Sequence, residues 1–153
     1  MCIRDRLGIL GMGRIGRAVA KRAKAFGMEI HYHNRSKLSA DLEDGAIYHD
    51  NIKDLFAKSE FLSINCPATP ETKNIINKNT LSYLKENTVV GNAARGDVVD
   101  DDAMVEALKN GTVFACLLYT SDAADDSLRV DLGGRRIIKK LTMWKRAVSR
   151  LRT

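Results

Sequence analysis

Leu7-Gly-Ile-Leu-Gly-Met-Gly-Arg-Ile-Gly16 decides how this chain is read. An apolar run, Leu7 to Leu10, leads into glycines at 11, 13 and 16, and a helical pattern follows from Ile15 to Phe26. Strand, glycine turn, helix is the context that gives a G-x-G-x-x-G match its meaning. Gly11 allows the tight turn out of the strand. Gly13 lets backbone approach a pyrophosphate that a Cβ would block, and Gly16 lets the helix pack closely on the strand. The first N–H groups of a helix lack intrahelical partners, and the helix dipole favours negative charge beside them. A glycine-rich structural turn is the alternative. The setting favours a dinucleotide site.

The helix that follows is amphipathic. Ile15, Val19 and Ala23, with Ala18 and Phe26, recur at three- and four-residue spacing and are expected to face the core. Arg14, Arg17, Lys21, Arg22 and Lys24 supply the polar face, and Gly27 suits a left-handed cap. Met28 to His33 reads as a second strand, which completes one βαβ unit of roughly 30 residues.

Many dinucleotide sites place an Asp or Glu at the end of that second strand, about 20 residues past the glycines, to hold the ribose 2′-OH. Here the strand ends in Asn34-Arg35-Ser36-Lys37. No carboxylate repels a 2′-phosphate, and Arg35 offers a planar, permanently charged fork suited to one. Ser36 adds a hydroxyl donor. NADP(H) is therefore expected ahead of NAD(H), against the simpler reading of an exposed basic turn. His31 and His33 are expected to share a face of the strand. With no third ligand nearby they are not taken as a metal site, and His49 reads as a loop residue.

Further on, Leu38 to Asp44 is a polar, possible helix, and Ala46 to Tyr48 a brief strand. Asp50 is expected to cap a helix from about Asn51 to Lys58 with Ile52, Leu55 and Phe56 buried. Phe61 to Ile64 is a strand that ends in Asn65-Cys-Pro-Ala-Thr-Pro70, where prolines stop regular structure. Loops at the carboxyl ends of parallel strands bind ligands in open α/β sheets, so Cys66 and Pro67 are expected to line the cofactor. No base or positive cluster supports Cys66 as a nucleophile. Thr69 to Thr72 can begin a helix, and Thr72 either bonds the cofactor or merely caps. Asn79 to Leu84 is a turn or short helix, and Thr88 to Asn92 a buried strand leading into Ala93-Ala-Arg-Gly-Asp97. Arg95 stands after a strand among small residues, placed to clamp a carboxylate through two parallel hydrogen bonds, or else to form a surface ion pair. Asp100-Asp-Asp102 opens a helix, Ala103 to Asn110, closed by Gly111, and Thr112 to Ala115 starts another strand.

The whole chain has 153 residues, one domain by length, with 44% hydrophobic content. Its net charge of +6 is confined to the ends, because residues 7–115 balance to zero. A basic tail without a recognisable motif or interleaved aromatics does not indicate nucleic-acid binding. The three cysteines, Cys2, Cys66 and Cys116, form no C-x-x-C pair and fit a reducing compartment. No apolar run suits a membrane span or a secretory signal. A cytoplasmic protein is the default expectation.

Three stretches together resemble the nucleotide-binding domain of the D-isomer-specific 2-hydroxyacid dehydrogenases: Leu7 to Gly16, Asn65-Cys-Pro-Ala-Thr-Pro-Glu-Thr72, and Asn92-Ala-Ala-Arg-Gly-Asp-Val-Val-Asp100 with Ala103 to Leu108. The Asn34-Arg35-Ser36 ending is most similar to the NADPH-using glyoxylate/hydroxypyruvate reductases. The resemblance implies a Rossmann-type, doubly wound parallel α/β sheet. It implies that Arg14 and Ile15 meet the pyrophosphate, and that Arg35 and Ser36 meet the 2′-phosphate. Cys66, Pro67 and Thr72 would border the cofactor, with Ala93 on the nicotinamide side. Arg95 would be the arginine that holds the carboxylate and 2-oxo group of a small 2-oxo or 2-hydroxy acid. It further implies a homodimeric parent protein.

Past Ala115 the resemblance stops. The family continues with an Asp that contacts nicotinamide, a Glu, and a proton-donating His, whereas residues 116–153 contain no histidine. Met1 to Arg6 and residues 116–153 resemble translated adapter sequence joined to a gene fragment. The expected organisation is thus a short foreign leader at 1–6, a truncated Rossmann domain at 7–115, and a basic tail at 116–153, unstructured or loosely helical. The expected chain is the cofactor-binding part of the parent protein, with weak or no cofactor binding of its own and no turnover. The rival reading is a non-catalytic, NAD(H)-sensing corepressor of the same fold.

Overall fold

The computed structural model describes residues 5–118, so most of the expected foreign leader and basic tail lies outside the described residues. Six strands form one sheet: β1 (Arg6–Leu10), β2 (Glu29–His33), β3 (Ile47–Tyr48), β4 (Phe61–Ile64), β5 (Thr88–Asn92) and β6 (Val113–Leu118). Their order is β3-β2-β1-β4-β5-β6, and every pair is parallel. The expected Rossmann-type sheet is present. The chain winds outward from β1 to β3, then returns to place β4 on the other side of β1. The strand order reverses there, and the carboxyl ends of β1 and β4 form the switch point at which open α/β sheets bind ligands.

Side-chain alternation on β1 explains why both faces are covered. Leu7 and Ile9 join Met12, Ala20, Ala23, Ile30 and Tyr32 beneath α1 (Arg14–Ala25). Leu10 points the other way, into a core with Leu55 and Phe56 of α3 (Ile52–Lys58) and Met104 of α5 (Asp101–Lys109). Gly8 lies on that second face. A Cβ there would come within 1.9 Å of the Ser59 hydroxyl, which is buried and donates 2.7 Å to the Leu55 carbonyl.

The buried stripe of α1 differs from expectation. Gly16, Ala20 and Ala23 are buried, Val19 packs against their core, and Ile15 and Phe26 are 66% and 87% exposed. Hydrophobic periodicity selects large apolar side chains. Close helix-on-strand packing here selects small ones, because a larger side chain would hold the backbones apart. Phe61, Phe114 and Leu117 are also exposed, on strands β4 and β6.

Two element starts also move. The cap of α3 is Asn51, whose side-chain oxygen accepts 2.9 Å from the Asp54 N–H, while Asp50 accepts from the Tyr48 hydroxyl instead. Residues 70–74 form a turn rather than a helix start. The short helix that follows, α4 (Lys78–Leu81), begins behind Asn77, which forms a reciprocal capping box with Thr80. Asp100 caps α5 as expected, accepting from Asp102 and Ala103 N–H. A four-residue helix α2 (Ala40–Glu43) precedes β3.

The strands reach further than the sequence pattern at both ends. Arg6 belongs to β1, opposite Glu29, and its guanidinium meets Glu60 at 2.6 Å. β6 continues past Ala115 to Leu118, which pairs with Asn92. Among the described residues no helix is long and apolar enough to cross a membrane.

Candidate dinucleotide site at the carboxyl edge of the sheet

Four loops meet at the carboxyl edge, after β1, β2, β4 and β5, and the residues expected to hold cofactor or substrate lie on them or on the first turn of α1. The glycine turn follows β1. Gly11 has φ +92°, a left-handed conformation that favours glycine, and a Cβ there would lie 2.6 Å from the Cys66 N atom. Its N–H donates to the His33 carbonyl at 3.0 Å, and Asn65 N–H donates to the Leu10 carbonyl at 2.8 Å. The turn is therefore fastened to β2 on one side and to the Cys66 loop on the other. Gly16 presses α1 onto this turn: a Cβ would stand 2.5 Å from the Gly11 carbonyl oxygen and 3.2 Å from an Ile9 methyl.

Gly13 is different. Nothing lies within 4 Å of the Cβ it lacks, and its φ of −78° suits any residue. The protein itself has no steric need for glycine at this position. Gly13 is also the cap residue of α1, where no side chain bonds the helix start and the first turn holds no acidic residue. Twelve residues of helix thus point an uncapped, positive end into an open space that a side chain would fill. These residues fit a pyrophosphate, with Arg14 and Ile15 exposed beside it.

The loop after β2 is held by its first residue. The Asn34 side-chain oxygen accepts the Met12 N–H at 2.7 Å, and the Asn34 carbonyl lies 3.4 Å from the Tyr48 hydroxyl. Asn34 therefore faces the glycine turn and locks it. Arg35, Ser36 and Lys37 beyond it are exposed, and the Arg35 guanidinium stands 3.9 Å from the Glu71 carboxylate. Below them Tyr32 is wholly buried, donates to Glu43 and accepts from Leu38 N–H. Burial and the Glu43 hydrogen bond push its pKa up to about 12, which keeps the phenol neutral. His31 and His33 both turn toward His49, so they share a face of β2 as expected. His31 is buried between Glu29 and His49, at 2.8 Å from each, while His33 contacts the His49 carbonyl at 2.9 Å. Burial, then the neighbouring His31, lowers the His49 pKa. Among the described residues no group of three His, Cys, Asp or Glu side chains is arranged to hold a metal ion.

After β4, Cys66 is buried and its thiol pKa is raised by burial, the state of a packed neutral thiol rather than a nucleophile. Pro67 is exposed at the edge. Thr72 ties its own loop together: its hydroxyl lies 2.6 Å from the Pro67 carbonyl and accepts the Thr69 N–H at 2.8 Å. The Arg95 loop follows β5. Asn92, buried at the strand end, was not singled out in the sequence, yet it builds this loop. Its oxygen accepts the Ala94 N–H and its amide donates to the Arg95 carbonyl, both at 2.9 Å. An Asn at a strand end before small residues is the signal for such a turn. The loop is then stitched to the preceding one through Asn74 N–H to the Asp97 carbonyl and Ile76 N–H to the Val98 carbonyl. Ala93 and Arg95 are exposed at the same edge as the glycine turn.

Comparison with known proteins agrees with this fold. Residues 3–124 match the family model described as D-isomer specific 2-hydroxyacid dehydrogenase, NAD binding domain. The chain is 48% identical over 109 residues to 4-methyl-2-oxopentanoate reductase A of Aspergillus oryzae, covering 71% of this chain and 33% of that protein. It is 46% identical over 113 residues to a glyoxylate reductase of Aeropyrum pernix, covering 73% and 33%. The crystal structure of a glyoxylate reductase from Paecilomyes thermophila superposes with a TM-score of 0.73 at 46% identity, covering 76% of this chain and 35% of that one. The chain thus spans about a third of the length of these relatives.

Proposed function

The chain belongs to the D-isomer specific 2-hydroxyacid dehydrogenases through their NAD-binding domain, and we propose that it is the cofactor-holding part of an NADP-preferring reductase of small 2-oxo acids. The observation that carries the cofactor reading is Gly13, a glycine the protein does not need, at the uncapped start of α1. The NADP preference rests on the end of β2. Asn34 is neutral and turned toward Met12, and Arg35 follows it in the open.

In this reading the nicotinamide cofactor supplies the hydride for C2 of the acid. The α1 N–H groups hold the pyrophosphate, Arg35 and Ser36 hold the 2′-phosphate, and the Thr72 turn with Cys66 and Pro67 keeps the loop after β4 in place beside it. Arg95, set by the Asn92 turn, binds the substrate carboxylate and polarises the 2-oxo group. The proton donor lies outside residues 1–153, as does the rest of the substrate pocket, and the whole protein is a homodimer. This chain alone binds cofactor weakly and turns nothing over. NMR titration of the 153-residue chain with NADPH and with NADH tests the reading. The expected result is tighter binding of NADPH, lost in Arg35→Ala. Tighter binding of NADH, or hydride transfer by the chain above background, would overturn it.

A further inference from the structure

Arg35 does not stand alone over the site. Its guanidinium is 3.9 Å from the carboxylate of Glu71, and both side chains are largely exposed. β2 and β4 flank β1, so this contact crosses the carboxyl end of the strand that runs into the glycine turn. Both partners are rooted in fixed backbone. Arg35 follows Asn34, which is anchored to Met12, and Glu71 sits in the turn closed by Thr69 and Thr72. Within that turn Lys73 N–H also donates to the Thr69 carbonyl at 3.0 Å. Two constrained loops therefore set opposite charges within reach of each other.

We propose that Glu71 sets how strongly this site discriminates for a 2′-phosphate, by competing with that phosphate for Arg35. The inference rests on the reading of Arg35 given above. An exposed ion pair is weak and easily parted, so Glu71 does not bar the phosphate. It weakens it in two ways. Arg35 must leave Glu71 to make two hydrogen bonds to phosphate oxygens, and those oxygens then lie about 3 Å from the guanidinium. A phosphate carrying a charge of about −1.5 to −2 so placed comes near the Glu71 carboxylate and is repelled by it. At separations of about 6 Å in water, partly screened by salt, this corresponds to roughly three- to fivefold in affinity. A cofactor with a free 2′-OH carries no charge at that position, and its affinity does not depend on Glu71.

The test is NMR titration of the full 153-residue chain and its Glu71→Gln and Arg35→Ala variants with three probes: NADPH, NADH and 2′,5′-ADP. Both substitutions are at exposed positions, and thermal unfolding checks that the fold is kept. Glu71→Gln should bind NADPH and 2′,5′-ADP about three- to fivefold more tightly at low salt, with NADH unchanged and the gain shrinking as salt rises. Arg35→Ala should weaken both phosphorylated probes, and adding Glu71→Gln to it should restore only a small part. Equal NADPH affinity in wild type and Glu71→Gln, with Arg35→Ala still impaired, overturns the inference and leaves the Arg35 reading standing. An Arg35→Ala chain that binds NADPH like wild type, or a wild-type chain that binds none of the probes, overturns both.

Discussion

Gly13 and Gly16 lie three residues apart in one motif, and the structure assigns them opposite kinds of necessity. Replacing a glycine inside a helix with alanine normally stabilises by about 1 kcal/mol through propensity. At Gly16 the new Cβ would meet the Gly11 carbonyl oxygen at 2.5 Å and an Ile9 methyl at 3.2 Å. The first neighbour is backbone held by the β2 and β4 loops, so it cannot rotate away. Overpacking of this kind costs about 3 kcal/mol at the upper end of its range. The net effect of Gly16→Ala is a loss of about 2 kcal/mol, or about 8 °C or more in Tm for a domain of this size. At Gly13 the Cβ would meet nothing within 4 Å, and φ is −78°. Gly13→Ala should keep Tm within about 2 °C of wild type, since unfolded-state entropy and a poorer cap nearly cancel. It should weaken NADPH tenfold or more, because its methyl occupies the space assigned to the pyrophosphate. Thermal unfolding followed by circular dichroism, with NMR titration of the same samples, reads both. A Gly13→Ala chain as unstable as Gly16→Ala, or one that binds NADPH like wild type, would refute the assignment.

Asn92→Ala removes two hydrogen bonds from a buried side chain and should cost about 2 kcal/mol in urea unfolding. A change under about 0.5 kcal/mol would show that water replaces those bonds. His49 should make stability depend on mild acid. Its pKa is lowered from 6.5 in the folded chain, by burial first, with His31, His33 and Lys58 opposing its charge and Asp54 favouring it. The unfolded chain then takes up the proton more readily, so this stability is complete above about pH 6.5 and is lost as pH falls through the folded value. Tm measured from pH 7.5 to 5 should drop, and His49→Gln should flatten that slope. Glu60 acts lower on the scale. Its hydrogen bond to Arg6 holds its pKa below 4.5, so its contribution is present above that pH and disappears in stronger acid. Glu60→Gln should remove that part of the acid limb, read by urea midpoints between pH 5 and 3.

Local sequence patterns specify the elements of this protein and the edge at which its chemistry gathers. Apolar runs ending in glycine, Asn-Arg-Ser, Cys-Pro and Asn-Ala-Ala-Arg mark four strand ends, and the topology brings those ends to one side. Short-range signals carry that much, because strand alternation, proline stops and glycine turns act within a few residues. Helix α1 shows where such signals fail. Its apolar periodicity pointed to Ile15 and Phe26, but contact with β1 is set by how near two backbones can come, and that favours Gly16, Ala20 and Ala23. The Asp50 cap expectation failed for a related reason: a side chain can bond either a helix N–H or a neighbouring hydroxyl, and the tertiary placement of Tyr48 took Asp50. Only the folded chain joined Asn34 to Met12, His31 to His49, and Arg35 to Glu71. Each of the contacts from Asn34, His31 and Arg35 spans 18 or more positions in sequence. No local pattern encodes them, because they form only when the sheet has set β2 between β3 and β1, with β4 on the far side of β1.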